Sequence, residues 1–281
     1  MAVAAHSALY HLKTNTPVEF HLLSDNISDN NRTRITNVLK RQRSDVPVFW
    51  HDPDIENIFK INVRHYSKAS LFRLILPQII DDDRFPILYI DSDLIVEADI
   101  DDLLSANDGQ YIVYAARNGA DQEFDRFVRK KFPELYAPEN NQYFNSGVLM
   151  INPKHWNAAR ITEQTLDFLH NNSEKLSFPD QDALNAVLAG RWGPLPMRWN
   201  KQINRIGQPE AAPLSEAGIL HYTSYKPWNP NYTWRASFVF HKAYLRSRWD
   251  SPLVSAARTA QLVIRQMSKR IRNKVSRTFG S

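Results

Sequence analysis

The sequence predicts an α/β protein built on an open sheet, and three observations carry that reading. Short apolar runs rich in Val, Ile, Tyr and Phe alternate with helical patterns along most of the chain, the order expected of a sheet covered by helices. One run, "FPILYIDSD" at 85–93, ends in two aspartates one residue apart, and ligands of open α/β sheets sit beyond the carboxyl ends of the strands. The composition is that of an ordinary globular chain, 281 residues with 43% hydrophobic and 23% charged, long enough for one large domain or two small ones.

The elements follow in order. "PVEFHLLSD" (17–25) reads as a strand ending in a turn, and "SDNNRTRITNVLKRQ" (28–42) as a helix with Ser28 placed to cap it. "VPVFW" (46–50) is a short strand, and "SKASLFRLILPQII" (67–80) is helical up to Pro77. The strands "FPILYIDSD", "QYIVYAA" (110–116) and "QYFNSGVLMIN" (142–152) come next. Helices are expected over 157–172 and 180–190, and a late strand at "GILHYTS" (218–224). The stretch 191–235, rich in Trp, Pro and Asn, reads as long loops over a site.

Composition also excludes. There is no cysteine, so disulfides, zinc–thiolate centres and thiol catalysis are ruled out, and a reducing cytosol is compatible. No apolar run reaches the ~18 residues of a membrane-spanning helix. The opening "MAVAAHSALYHLK" lacks the pattern of a secretory signal. Net charge is +5, yet residues 251–281 hold seven basic residues and no acidic one. The body therefore carries more acidic than basic groups, which argues against nucleic acid as a partner.

Asp91 and Asp93 stand where "ILYI" ends. Alternate residues of an extended chain point the same way, so both carboxylates can reach one point. Two carboxylates placed together repel, and a hard divalent cation such as Mn2+ or Mg2+ relieves that while leaving room for phosphate oxygens. A bare Asp-x-Asp is more often a solvated strand end, so its companions matter. "YFNSGVLMIN" (143–152) sets Asn145, Ser146 and Gly147 before a buried strand. "FPDQDALNAVL" (178–188) sets Asp180, Gln181 and Asp182 at a helix start, with Asp180 placed to cap. "HYTSYKPW" (221–228) sets a histidine at a strand end, followed by a lysine.

Together and in this order, "LYIDSDLIV", "FNSGVLMIN", "DQDALN" and "HYTSYKPW" closely resemble glycosyltransferase family 8, over about residues 3–230. The resemblance implies a retaining enzyme of the GT-A type, a Rossmann-like and mostly parallel open sheet with flanking helices. It implies manganese (or magnesium) held by Asp91, Asp93 and His221 and bound to the diphosphate of a UDP-sugar. Arg73 matches a donor-binding arginine, Ser92, between the paired aspartates, is expected to bind the donor with them, and Lys226 matches a lysine that contacts the diphosphate. Asn145, Asp180 and Gln181 match positions lining the donor sugar, which makes Gln181 and Asp180 the candidate catalytic residues. Such chemistry stabilises a departing UDP anion, by a Lewis-acid metal and by lysine charge, through a transition state resembling an oxocarbenium ion. Double displacement needs a nucleophile on the far face of the sugar, and glutamine is a poor one. Front-face attack, with a leaving phosphate oxygen taking the acceptor proton, stands beside it.

The resemblance also implies the partners: a UDP-hexose carrying galactose or glucose, and an acceptor on lipopolysaccharide or another lipid-linked glycan. Two departures qualify it. The family's first strand and its uridine-binding segment have no match, since "MAVAAHSALYHLK" matches the helix that follows them. A chain shortened at its N-terminus, binding sugar nucleotides with impaired catalysis, is the alternative expectation. In "HYTSYKPW" the spacing from histidine to lysine is one residue shorter than the family's.

Residues 1–250 are expected to form the catalytic domain and 251–281 a separate tail. In the tail Leu253, Ala260, Ile264, Met267, Ile271 and Val275 form one stripe of a helix, with most of the basic residues opposite. That suits an interfacial helix on an anionic membrane. The protein is then expected to be cytoplasmic and peripheral on the inner face of the cytoplasmic membrane. The competing expectation is a helix packed on the body.

Overall fold

The structure is a computed structural model. It describes residues 1–13, 16–54, 58, 68–80, 82–118, 143–203, 214–223, 226–227 and 234–251, and positions 253, 254, 257, 260, 261, 264 and 268 of the tail. In chain order the elements are α1 (Ala2–Tyr10), β1 (Phe20–Leu23), α2 (Asp29–Gln42), β2 (Val48–His51), a helical run α3 (68–79), β3 (Ile87–Ile90), β4 (Leu94–Val96), α4 (Ile100–Leu104) and β5 (Val113–Arg117). There follow β6 (Phe144–Ile151), α5 (Pro153–Ala158), α6 (Ile161–Asn172), α7 (Pro179–Val187), β7 (Trp192–Leu195), β8 (Lys201–Gln202), β9 (Ile219–His221) and α8 (Trp234–Ser247).

β6 organises the molecule. All eight of its residues are buried, and it lies inside the sheet β3-β6-β5-β7. On one face Phe144, Leu149 and Ile151 join the core with Leu71, Phe72, Leu74, Ile75 and Leu76 of α3, and with Trp156, Ile161 and Leu184. On the other, Val148 and Met150 meet Ala4 and Ala8 of α1, Leu94 and Val96 of β4, and Trp199. Burial on both faces is why this segment reads as a continuous apolar run rather than an alternating one. Trp156 is fully buried and its indole N–H donates to Thr162 Oγ1 at 2.9 Å; truncating such a ring costs about 3–5 kcal/mol.

The α/β class holds, but the described ladders are mixed rather than mostly parallel. β6 runs antiparallel to both β3 and β5, and β4 antiparallel to β9. The pairs β1–β2, β5–β7 and β8–β9 are parallel. A strand buried on both faces carries no mark of its partners' direction, so the sequence could not show this. Pairing along β6 is also irregular. Ala115 pairs with Leu149 and Arg117 with Phe144, so β5 advances two residues while β6 advances five. The excess falls on Asn145, Ser146 and Gly147, the kind of bulge that re-aims side chains.

Several boundaries differ from expectation. The run 67–80 does not stop at Pro77: α turns at Lys68–Leu71 and Leu76–Ile79 flank a 3-10 turn at Phe72–Ile75, and Pro77 sits in the first turn of the last piece, where its missing N–H costs nothing. The helix expected over 157–172 is two helices, α5 and α6, parted at Arg160 with φ 51°. α5 starts earlier because Asn152 caps it, its side chain accepting from His155 N. Ser28 does occupy the N-cap of α2, with no side-chain cap bond. Asp180 is not a cap; Phe178 holds that position on α7. The region expected as long loops contains β7, β8 and β9 with 3-10 turns at Met197–Asn200 and Leu214–Glu216, and α8 begins at its end. Residues 204–213 and 228–233 of that region lie outside the described residues.

Candidate active site

β3 ends at Ile90, and Asp91, Ser92 and Asp93 form the turn into β4. The two carboxylates converge through this turn rather than through an extended strand. Asp91 is held by its own N–H, which donates to Gly147 O at 2.9 Å. β9 delivers His221 opposite, paired with Leu94. Its Nε2 stands 3.6 Å from Asp91 Oδ2 and 3.4 Å from Asp93 Oδ1. One ligand atom from each of Asp91, Asp93 and His221 lies within 4.8 Å of the others.

The direction of the imidazole is set from behind. Gly147 N–H donates to Asn145 Oδ1 at 3.0 Å, and a backbone N–H can only face the oxygen of that amide. Asn200 Nδ2 donates to the same oxygen at 2.8 Å. Asn200 Oδ1 therefore accepts from His221 Nδ1–H at 2.9 Å. In the neutral ring this turns the Nε2 lone pair toward the two carboxylates, where three acceptors face one another. A divalent cation satisfies that arrangement, and buried support of the far imidazole nitrogen is how proteins orient metal-binding histidines. Gly147 makes room for it: a Cβ there would lie 2.1 Å from His221 Cε1 and 2.7 Å from Asp91 Oδ2.

Each aspartate already has a counter-charge. Arg73, buried in α3, reaches Asp91 Oδ1 with Nη2 at 2.8 Å and Asp180 Oδ2 with Nε at 3.2 Å, and donates from Nη1 to Ser146 Oγ at 2.7 Å. Burial alone would lower its pKa, but Asp91, Tyr89 and Asp180 outweigh that and raise it. Tyr89 donates to Asp91 Oδ1 at 2.6 Å. Lys226 is ion-paired with Asp93 and donates to Tyr222 O at 2.8 Å. Burial pushes the Asp93 carboxyl up, while His221 in its protonated form and Lys226 hold it well below the usual range. The Asp180 carboxyl is pushed upward by burial, against the pull of Arg73. The expected mutual repulsion of two bare carboxylates is thus already offset by protein cations.

α7 brings the remaining residues. Asn185 clamps it to β6 by accepting from Phe144 N at 2.8 Å and donating to Phe144 O at 3.0 Å. Gln181 Oε1 accepts from Ser146 N and from Asn145 Nδ2, both at 3.0 Å. The structure thus joins Arg73, Asp91, Asp93, Asn145, Asp180, Gln181, His221 and Lys226 in one polar network. Ser92 is exposed at the turn, and its carbonyl accepts from the Met1 amino group at 3.2 Å. Tyr143 and Asn185 stand inside the motifs "YFNSGVLMIN" and "DQDALN" without a role assigned to them from the sequence, and Asn200 lies in the Trp-rich stretch outside every motif.

The family model for glycosyl transferase family 8 matches residues 1–231. The chain belongs to glycosyltransferase family 8. Among its relatives is general stress protein A of Bacillus subtilis, 26% identical over 264 residues, which span 87% of this chain and 88% of that protein. The lipopolysaccharide 1,2-glucosyltransferase of Escherichia coli K12 is 25% identical over 246 residues, 84% of this chain and 71% of that one. The solved galactosyltransferase LgtC, in complex with donor and acceptor sugar analogues, superposes with TM-score 0.68 at 26% identity, covering 86% of this chain and 89% of LgtC. The bifunctional glycosyltransferase WbbM superposes with TM-score 0.73 at 22% identity over 92% of this chain and 49% of its own length, a likeness of fold. The family 8 chain described here is therefore a glycosyltransferase of GT-A architecture.

Proposed function

We propose that this glycosyltransferase moves galactose or glucose from a UDP-sugar, with retention, to a glycan acceptor on lipopolysaccharide or another lipid-linked oligosaccharide. The observation that carries the proposal is the convergence of Asp91, Asp93 and the Nε2 lone pair of His221, with Asn200 fixing the ring. These residues suit Mn2+ or Mg2+, since two carboxylate oxygens and an imidazole match such ions and leave positions for phosphate oxygens. A bound ion there supplies Lewis-acid stabilisation of the leaving diphosphate. Lys226, beside Asp93, adds positive charge on the same side, and Asn145, Asp180 and Gln181 line the sugar. The names of relatives, among them lipopolysaccharide glucosyl- and galactosyltransferases, support this choice of donor and acceptor.

The tail belongs to the same reading. Its described positions 253–264 are helical and exposed, with Leu253 85% and Ile264 61% accessible. Exposure of those apolar residues favours a membrane surface over packing on the body. The seven basic residues, with Met267, Ile271 and Val275, lie outside the described residues. Among the described residues no helix is long and apolar enough to cross a membrane. The proposed setting is the inner face of the cytoplasmic membrane, with the tail as a peripheral contact. The test of the reaction is to incubate the protein with UDP-galactose and UDP-glucose, with and without Mn2+, and follow UDP release. Metal-dependent release from one of them is expected; none from either would refute the proposal.

A further inference from the structure

Gln181 is oriented by hydrogen bonds to β6 and to Tyr143. Its carbonyl oxygen accepts from the Ser146 backbone N–H at 3.0 Å, and a backbone donor admits only oxygen there. Asn145 Nδ2 donates to the same oxygen at 3.0 Å. Both strong acceptor positions of the carbonyl are therefore taken by N–H groups of the protein. On the other side of the amide, Gln181 Nε2 donates to Tyr143 Oη at 3.1 Å. Tyr143 passes its own proton to Asp182 Oδ1 at 2.6 Å. A carboxylate only accepts, so the phenol donates, and Asp182 is itself fixed because its Oδ2 accepts from the backbone N–H groups of Ser177 at 2.8 Å and Phe178 at 3.0 Å. The relay from Asp182 through Tyr143 to Gln181 is thus anchored by backbone donors at both ends. It lies among buried groups: Tyr143 is 1% exposed, Asp182 5% and Gln181 7%.

We infer that Tyr143, backed by Asp182, is a positioning residue that fixes the Gln181 amide so that it meets the donor sugar with an N–H and not with its carbonyl oxygen. Among the described residues the second proton of Gln181 Nε2 has no acceptor, and it is the one group of the amide left for a ligand. Its partner is an oxygen of the sugar or of the leaving phosphate. The inference rests on the proposed reading that Gln181 lines the donor sugar. It goes beyond that reading in assigning the polarity of the contact and the two residues that impose it. Asp182→Asn gives the sharpest perturbation. The new amide keeps its oxygen toward Ser177 and Phe178, so its nitrogen faces Tyr143 and donates to it. Tyr143 then loses its acceptor at Asp182, and Gln181 cannot replace it, since its nitrogen does not accept and its oxygen is claimed by Ser146.

The test is calorimetric titration in Mn2+ of UDP, UDP-galactose and UDP-glucose into the wild type, Tyr143→Phe and Asp182→Asn. The wild type should bind UDP and at least one UDP-sugar. Both variants should bind UDP as the wild type does and bind that UDP-sugar about five- to tenfold more weakly, the size of one lost hydrogen bond. A purely structural role would weaken UDP and UDP-sugar together, with a matching fall in melting temperature, and that result would overturn the inference, as would unchanged affinity for both ligands. If Tyr143→Phe does not fold, Gln181→Glu reads the same contact from the ligand side, by setting an oxygen where the N–H stands. It should lose UDP-sugar affinity and keep UDP affinity, and equal affinity for the sugar would sink the idea. A wild type that binds no UDP-sugar removes the proposed function itself, and this assignment with it.

Discussion

At Gly147 the site tolerates only a hydrogen. A methyl group would penetrate His221 Cε1 and press on Asp91 Oδ2, and neither side chain can retreat from its bonds to Asn200 and Arg73. Gly147→Ala should lower stability by about 1–3 kcal/mol, as overpacking does, and should abolish Mn2+ binding measured by titration. Asn200 acts through the imidazole. Asn200→Leu should weaken Mn2+ affinity about 10- to 100-fold, the usual consequence of removing a ligand's buried support, while the melting temperature of the metal-free protein shifts far less than metal affinity does. The acid limb of stability reports Asp93. Its carboxyl is held below the unfolded value, so its pairing with His221 and Lys226 contributes stability above about pH 4 and loses it as the pH falls toward the lowered folded value. Thermal melts of the metal-free protein should fall more steeply below pH 4 in the wild type than in Asp93→Asn. Asp91 differs, because removing it strips buried Arg73 of one of two carboxylates. Relief of repulsion does not stabilise Asp91→Ala, which should lose about 3 kcal/mol by denaturant titration.

Among the elements, the motifs were legible because polar residues interrupt apolar runs at strand and helix ends: Asp91 and Asp93 after β3, Asn145 within β6, Asp180 and Gln181 in the first turn of α7, His221 at the end of β9. Their chemistry stands out against the runs that carry them. The direction of the ladders did not stand out, because β6 is buried on both faces. Neither did the break at Arg160, a left-handed residue that no glycine or proline announces. Asn200 and Tyr143 escaped because a buried amide or phenol reads as ordinary sequence until its partners are known. The tail makes a prediction of its own. Deleting 251–281 should release the protein from anionic vesicles while donor hydrolysis stays intact. Each Lys or Arg near such a surface contributes about 1 kcal/mol, so half of them supply roughly 3–4 kcal/mol, and co-sedimentation should weaken as salt shortens the ~8 Å Debye length of physiological buffer. Equal sedimentation of both forms would assign the contact elsewhere.

Across the whole molecule, the sheet β3-β6-β5-β7 and the sheet β4-β9-β8 meet at the turn after β3. The carboxylates come from the connection between the two sheets, the histidine from the second sheet, and the amides of Asn145 and Gln181 from the bulge of β6 and from α7. No single element holds the site, so its geometry depends on the packed core on both faces of β6. The proposed function requires that Asp91, Asp93 and His221 together hold a divalent ion that binds a nucleoside diphosphate. Calorimetric titration of UDP, with Mn2+ and with chelator, into the wild type, Asp93→Asn and His221→Ala tests it most directly. The wild type should bind UDP only with Mn2+, and both variants should lose that metal-dependent affinity while keeping their folded far-ultraviolet spectra; metal-dependent UDP affinity equal to that of the wild type in either variant would contradict it.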